Sequence, residues 1–420
     1  MTDRRYDAVV VGAGSAGMAA ALRMRTRGLS VAVVEREDHL GGILIQCIHN
    51  GFGLHRFRAD LTGPEYADRF IQPLIAAGID AYLDATVLSI AAEADGKRTV
   101  TVCSSRYGVL RLSAGAVVLA MGCRERNRGN VGISGTRPAG VFTAGLAQRL
   151  VNIEGWLPGR RAVIVGSGDI GLIMARRLTL AGCEVLCVVE IQPYPSGIVR
   201  NIVQCLNDFS IPLHLGHVIT RIRGRQRVEG VEVAPLADGA PDLSRLFALE
   251  CDTVLLSVGL VPENEISARA GVRINRATGG PYVDADHMTS VDGLYACGNV
   301  LHVHDLVDYV TEEAESTGES VARRLGGAPA GPAQQRVAAG ANVRYVVPNS
   351  WVPGRANDFF LRSLVVKNDA ELSVSVDGRE VSSRRLSHVQ PSEMIRLSLT
   401  PGDLSPAREG QANLMEVSLR

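Results

Sequence analysis

The feature that most constrains this chain is a layout that occurs twice. Residues 6–37 read YDAVVVGAGSAGMAAALRMRTRGLSVAVVERE, and residues 160–191 read RRAVIVGSGDIGLIMARRLTLAGCEVLCVVEI. Each copy runs from an apolar strand into Gly-x-Gly-x-x-Gly, then a helical stretch, a closing glycine, a second apolar strand and a glutamate. The third motif glycine precedes the closing one by eleven residues in both, Gly17 to Gly28 and Gly171 to Gly182. Such a glycine suits the left-handed position after a helix. The glycine motif alone is weak. Between a strand and a helix, with an acid 23 or 24 residues after its first glycine, it reads as a dinucleotide-binding unit.

Each glycine then has a task. Gly12 and Gly166 permit the tight turn, and Gly14 and Gly168 let a pyrophosphate reach the backbone. Gly17 and Gly171 let helix and strand pack closely, with the phosphates at the helix's positive end. Asp169 and Ile170 fill the second motif, and Glu35 and Glu190 can accept hydrogen bonds from a ribose. Two βαβ units that bind nothing are the alternative, and it has more force for the second copy.

The rest of the chain supplies the surroundings. The segments GAVVLAMG (115–122), DTVLLSVG (252–259) and TSVDGLYACGN (289–299) read as buried strands. A helix is expected over 305–325, with Val307, Val310, Ala314, Gly318 and Val321 on one face. The Gly-, Ala- and Pro-rich stretch 325–342 reads as a linker. The last eighty residues alternate like strands, with a hairpin turn at Asp377-Gly378. With 44 basic and 44 acidic residues, charge offers no general pull toward nucleic acid or an anionic membrane. No apolar run approaches the ~20 residues of a membrane span. The first residues pass almost at once into a strand, leaving no room for a signal peptide, so a cytoplasmic protein is expected. The eight cysteines, at 47, 103, 123, 183, 187, 205, 251 and 297, include no Cys-x-x-Cys and no zinc-type spacing.

These stretches resemble the two-dinucleotide-binding flavoproteins, in the arrangement of thioredoxin reductase. VVVGAGSAG, VVEREDHLGG, ATVLSI, VVLAMG and YACGNV carry the flavin-domain likeness, and VIVGSGDIG and LLSVGLVPEN the nicotinamide one. GGILIQCIHNGFGLHRFRADLTGPEYA and CGNVLHVHDLVDYVTEEAE look closer to the FAD/NAD-linked oxidoreductase encoded beside bacterial glycerol-3-phosphate dehydrogenase. They are more distantly similar to large flavin subunits of dye-linked amine, proline and opine dehydrogenases. The resemblance implies an α/β fold with two Rossmann-like domains and a small C-terminal β-rich domain. FAD-binding segments at 1–122 and 268–328 would flank an NAD(H)-binding domain at 123–267. A linker (329–342) and the β-rich part (343–420) would follow.

It also implies site residues. Gly12, Gly14, Ser15 and Gly17 would hold the FAD pyrophosphate, Glu35 the adenosine ribose, and Gly41 and Gly42 the flavin channel. Val87 would meet adenine through its backbone, and Asn50 the flavin. Ala120, Gly122 and Gly298 would complete the FAD site, and Gly259 the NAD(H) site. Asn299 stands where the family usually has an aspartate on the ribitol, although an amide can also hydrogen-bond a hydroxyl. Thr311 would start the helix whose backbone faces the pyrimidine ring. The flavin would be non-covalent, and Glu190 with no arginine in the following IQPYP would favour NADH over NADPH.

Cys47 has no partner thiol at family spacing, so a dithiol mechanism is not expected. It reads as a bystander or a shaper of the pocket. His49 is a candidate proton donor, with a locally bonded histidine as the equal alternative. His302, His304, Asp305 and Asp308 in HVHDLVD are of metal-binding types, but loop bonding and helix capping account for them more simply, so no metal is expected. Electron exchange with a partner protein, a dehydrogenase subunit, is expected. The alternatives are a self-contained oxidase or dehydrogenase, or a flavin subunit of an amine, proline, opine or hydroxy-acid dehydrogenase whose second nucleotide site is structural.

Overall fold

The computed structural model describes residues 2–328, 333–404 and 413–420. The chain forms two compact units, one of residues 1–45, 50–123 and 262–420 and one of 46–49 and 124–261.

The core of the first unit is a sheet whose central strand is Thr2–Val11. Val31–Val34 and Gly108–Leu119 flank it in parallel, each opposite Ala8–Val11. Burial on both faces explains why these strands read as unbroken Val, Ala and Leu. Gly108–Leu119 serves two neighbours on its other edge. Residues 108–114 pair with the hairpin strand Arg98–Ser104, and 117–119 pair with Leu294–Ala296. A strand from much later in the sequence therefore completes the sheet begun by the first glycine motif.

Helix Ser15–Thr26 packs on helix Val307–Leu325. Gly318 lies at the contact, where a Cβ would sit 2.7 Å from Ala20 O. The expected inner face holds, with Val310, Ala314 and Val321 buried. The helix starts two residues later than expected. Its N-cap is Leu306 with no side-chain cap, so neither Asp305 nor Asp308 caps it.

In the second unit a parallel sheet orders Val141–Thr143, Thr253–Leu256, Arg161–Val165, Glu184–Glu190 and Leu213–Leu215. An antiparallel sheet built on His217–Gly224 and Val228–Ala237 joins it. The C-terminal region is β-rich as expected, in a five-stranded and a three-stranded sheet, and its core includes Trp351, Phe359, Leu372, Met415 and Val417. Asp377 and Gly378 both have positive φ and turn strand Lys367–Val376 into Arg379–Val389. The linker reading fails over part of its length. Residues 329–332 lie outside the described residues, but Gln335–Ala339 is a strand paired with Leu414–Leu419. The neighbouring Gly and Pro hide the alternation of Gln, Val and Ala there.

Close approach explains the third motif glycine. A Cβ on Gly17 would lie 1.8 Å from Gly12 O, whereas one on Gly28, at φ +86, would have nothing within 4 Å. Gly28→Ala should cost only the left-handed strain of about 1–2 kcal/mol. Gly17→Ala, which forces backbone apart, should cost more and release flavin. Urea unfolding midpoints and the flavin-to-protein ratio of the two variants check this ordering.

Candidate functional site

At the end of Thr2–Val11, Gly12 turns at φ +100, and a Cβ there would meet Ala120 O at 2.5 Å. Gly14 is different, because nothing lies within 4 Å of the position its Cβ would take. Gly12 and Gly17 are demanded by the protein's own packing, and Gly14 leaves open ground. That ground faces the start of helix Ser15–Thr26, whose N-cap is Gly14 and which has no acid in its first turn and no side-chain cap. Free N–H groups beside open space suit a diphosphate.

Some of the other expected residues lie against the same turn. Gly42 approaches so closely that its Cβ would lie 2.9 Å from Gly14 Cα, and Gly41 precedes it. Buried Glu35 accepts from Ala13 N at 2.7 Å and Glu37 N at 3.0 Å. Ala120 N donates to Val11 O at 2.9 Å, and Gly122 follows in open space. Gly298 abuts Ala16, with a would-be Cβ 2.7 Å from the alanine's Cβ. These features fit FAD. Val87 sits in strand Ala85–Ala92 where the pairing shifts register. Asn50 is exposed and opens the short strand Asn50–Phe52. Asn299 Oδ1 accepts the His304 N–H at 3.0 Å, and its amide donates to Cys123 Sγ at 3.8 Å. Thr311 is one turn into its helix instead of at the start. Its buried hydroxyl bonds Tyr66 Oη at 2.8 Å and donates to Val307 O at 3.0 Å.

The second motif repeats the backbone with different neighbours. A Cβ on Gly166 would lie 2.0 Å from Ser257 O and one on Gly171 2.6 Å from Gly166 O, while Gly168 meets only Ser257 Oγ at 3.8 Å. Gly259 O accepts from Arg126 N at 2.9 Å, and Ile170 packs on the unit's core. The glycine cradle fits a nucleotide. Its carboxylates, however, are engaged by the chain itself. Glu190 Oε2 accepts from Ser167 N at 2.8 Å, Ser167 Oγ at 2.6 Å and Ser196 Oγ at 3.3 Å, and Oε1 accepts from Gln192 N at 2.9 Å. Asp169 Oδ1 accepts from Ile198 N at 3.0 Å and Asn201 Nδ2 at 2.7 Å. The segment 196–201 is thereby tied to the motif, a feature that Ser-Gly after PYP signals only faintly.

Cys47 and His49 belong to the short segment 46–49 of the second unit. Cys47 Sγ lies 3.6 Å from Gln148 Oε1. Burial pushes its thiol up to about 12. Every cysteine is free of disulfides, and Cys103 is exposed.

The HVHDLVD residues divide. Asp305 pairs with Arg362 and accepts from Met394 N at 2.6 Å, and Asp308 accepts from His55 N at 3.0 Å. His302 and His304 instead turn inward onto Glu313, which the sequence reading missed. The available signal was an acid set beside the apolar stripe of Val310, Ala314 and Val321. His302 Nε2 donates to Glu313 Oε2 at 2.7 Å, and Glu313 Oε1 accepts from Gly298 N at 2.6 Å. Burial, aided by His304, pushes the His302 imidazole down to about 4. Burial opposes ionisation of Glu313, but the two imidazoles outweigh it and hold the carboxyl well below its usual range.

Residues 6–320 match the family described as pyridine nucleotide-disulphide oxidoreductase. The chain belongs to that family. It is an enzyme of the FAD-dependent pyridine-nucleotide oxidoreductase family, with dinucleotide-binding domains. It is similar to an opine oxidase subunit from Agrobacterium tumefaciens, 29% identical over 317 residues, which are 70% of this chain and 61% of that protein. It is also similar to the HcnB subunit of hydrogen cyanide synthase from Pseudomonas protegens, 25% identical over 65% of this chain and 60% of that one. The chain thus spans about three fifths of the length of these two relatives. Thioredoxin reductase of Treponema pallidum is 26% identical over 70% of this chain and 89% of its own. The fold matches T. acidophilum thioredoxin reductase with TM-score 0.62 at 23% identity, covering 76% of this chain and 99% of that one. It matches L-proline dehydrogenase of P. horikoshii with TM-score 0.55 at 20% identity, covering 77% and 56%. Among the described residues no helix is long and apolar enough to cross a membrane.

A thiol at about 12 favours its neutral form at every lower pH. At pH 8 only about one Cys47 in ten thousand is a thiolate. In the folded protein at pH 8, iodoacetamide should label Cys103 well before Cys47. Peptide mass spectrometry with time checks the order, and rapid labelling of Cys47 would contradict its burial.

Proposed function

We propose that this enzyme passes a hydride between NAD(H) and FAD, and electrons to or from a partner protein or small acceptor, without a redox-active disulfide. The observation that carries the reading is the state of Cys47: buried, protonated and set against Gln148. Thiol–disulfide exchange needs a thiolate and a resolving sulfur, and the Cys47 environment favours neither. FAD, when bound, supplies the hydride and electron chemistry.

The chain's residues hold and orient. Gly12, Gly14, Ser15 and Gly17 take the pyrophosphate at the helix start, Glu35 the ribose, Gly41 and Gly42 the channel, and Val87 the adenine. Ala120, Gly122 and Gly298 complete the FAD site, and Asn50 contacts the flavin. Asn299, its oxygen held by His304 N, offers an amide N–H to a ribitol oxygen. Thr311 steadies the helix Val307–Leu325, whose uncapped start favours negative charge on the flavin. Gly166, Gly168, Asp169, Ile170, Gly171, Glu190 and Gly259 form the NAD(H) site. His49 is kept as a candidate proton donor and Cys47 as part of the pocket wall.

The proposed partner is a dehydrogenase subunit. Two relatives are themselves named as subunits, of opine oxidase and of hydrogen cyanide synthase, and the sequence likeness to the oxidoreductase beside glycerol-3-phosphate dehydrogenase points the same way. A second reading has its own support. Segment 196–201 bonds to Ser167 and Asp169, which favours a flavin subunit of an amine, proline, opine or hydroxy-acid dehydrogenase with a structural second site.

Anaerobic mixing with NADH should bleach the flavin, and no bleaching by either nucleotide would favour the second reading. NADH should exceed NADPH by about 10- to 100-fold in kcat/KM, since a 2′-phosphate beside Glu190 meets like charge worth ~4 kcal/mol at 4 Å and an effective dielectric of ~20 before solvent weakens it. Glu190→Gln should narrow the gap in stopped-flow reduction, and equal wild-type rates would refute the preference. Cys47→Ser should leave flavin reduction within a few-fold of wild type. A loss of ~100-fold with FAD bound, ~2.7 kcal/mol, would put the thiol in the chemistry. Trichloroacetic acid should leave all flavin in the supernatant.

A further inference from the structure

We propose that His302, His304 and Glu313 bind a divalent transition-metal ion of the zinc–iron class inside the first unit. The side chains of all three are fully buried. One ligand atom from each lies within 4.8 Å of the others, and the two imidazole rings are 4.2 Å apart.

Hydrogen bonding accounts for only part of this cluster. His302 Nε2 and Gly298 N both bond the carboxylate. The Nδ1 of His302 and both ring nitrogens of His304 are buried without a hydrogen-bond partner. His304 Nε2 stands 3.3 Å from Glu313 Oε2, yet it is not aligned to donate to it. Phe360 lies 5.6 Å and 5.0 Å from the two rings, and Tyr345 lies 6.0 Å from His302, so these walls offer little to an unpaired nitrogen. Three orphaned nitrogens around a buried carboxylate are costly in an interior. Among the described residues, the ion-pair partners of that carboxylate are these two histidines. A cation would satisfy the carboxylate and the His304 Nε2 lone pair together, with His302 Nε2 changing from donor to ligand.

The donor set narrows the ion. Two imidazoles and one carboxylate suit zinc or ferrous iron and are a poor cage for calcium or magnesium. Bonds of about 2.0–2.1 Å need ligand atoms about 3.0–3.4 Å apart. The His304 spacing already meets this, and Glu313 has to draw back from His302 by only a few tenths of an ångström. Gly298 N fixes the far oxygen of Glu313, an outer contact of the kind that orients a ligand. Glu313 and Phe360 also border a cleft of about 600 Å³.

The test is metal content in the full-length flavoprotein. After exhaustive dialysis, inductively coupled plasma mass spectrometry should find about one zinc or iron per chain. That metal should be lost in His304→Ala and Glu313→Gln and kept in His388→Ala, an exposed histidine elsewhere. Protein stripped with dipicolinate should take up one zinc by calorimetry, at least 100-fold more weakly in the two variants. Stoichiometric metal in both variants, or a wild type that neither carries nor takes up zinc or iron, would overturn the proposal. Because a change in a buried cluster can prevent folding, X-ray absorption at the metal edge of the wild type provides a second decision. Two imidazoles with oxygen support the site, and a sulfur-containing or all-oxygen shell overturns it.

Discussion

A side chain at residue 17 would have nowhere to go, because the carbonyl oxygen of Gly12 lies 1.8 Å from where its Cβ would be. That contact holds the start of helix Ser15–Thr26 hard against the end of strand Thr2–Val11. It brings the helix's unbonded N–H groups to the rim of the sheet, where Glu35 from the next strand can bond Ala13 N at 2.7 Å. Gly42 is then pressed onto Gly14, and Gly298 onto Ala16. One close backbone approach therefore goes with residues from three separate parts of the sequence meeting around one open spot at Gly14.

The second motif shows that the same constraint does not dictate the same occupancy. Gly166, Gly168 and Gly171 reproduce the cradle, and Glu190 bonds Ser167 N as Glu35 bonds Ala13 N. The difference lies in the next loop. Ser196 donates to both Ser167 Oγ and Glu190, and Ile198 and Asn201 donate to Asp169. A nucleotide whose ribose bonds Glu190 competes with donors that are already in place. The exchange is close to neutral where one hydroxyl replaces another, and it costs more where the 196–201 backbone has to move. The second motif is thus tied to a loop outside it, as the first is not tied through Glu35.

Much of this was legible. The two strand–glycine–helix units, the returning strand of YACGNV and the Asp377-Gly378 hairpin follow from local rules of turn and periodicity, and the structure has them. Three things escaped. The strand Gln335–Ala339 forms only by pairing with Leu414–Leu419, nearly eighty residues away, so its composition reads as a linker. The helix start at Val307, two residues later than expected, has no side-chain cap to mark it. Glu313 was read past because an acid on a helix is usually solvated, and its partners lie across a turn from it. Local chemistry fixes elements well, and long-range partners decide the polar interior.

That polar interior bears on why an asparagine stands at 299. Glu313 is a buried carboxylate bonded to the N–H of Gly298, the residue just before it. An aspartate at 299 would have an acceptor in place of the amide donor that asparagine keeps there. It would also need donors for its remaining lone pairs. Asparagine avoids both costs. Its oxygen takes the His304 N–H at 3.0 Å, so one hydrogen bond ties the loop that carries the histidines to the loop of the flavin site, and its amide is left as a neutral donor.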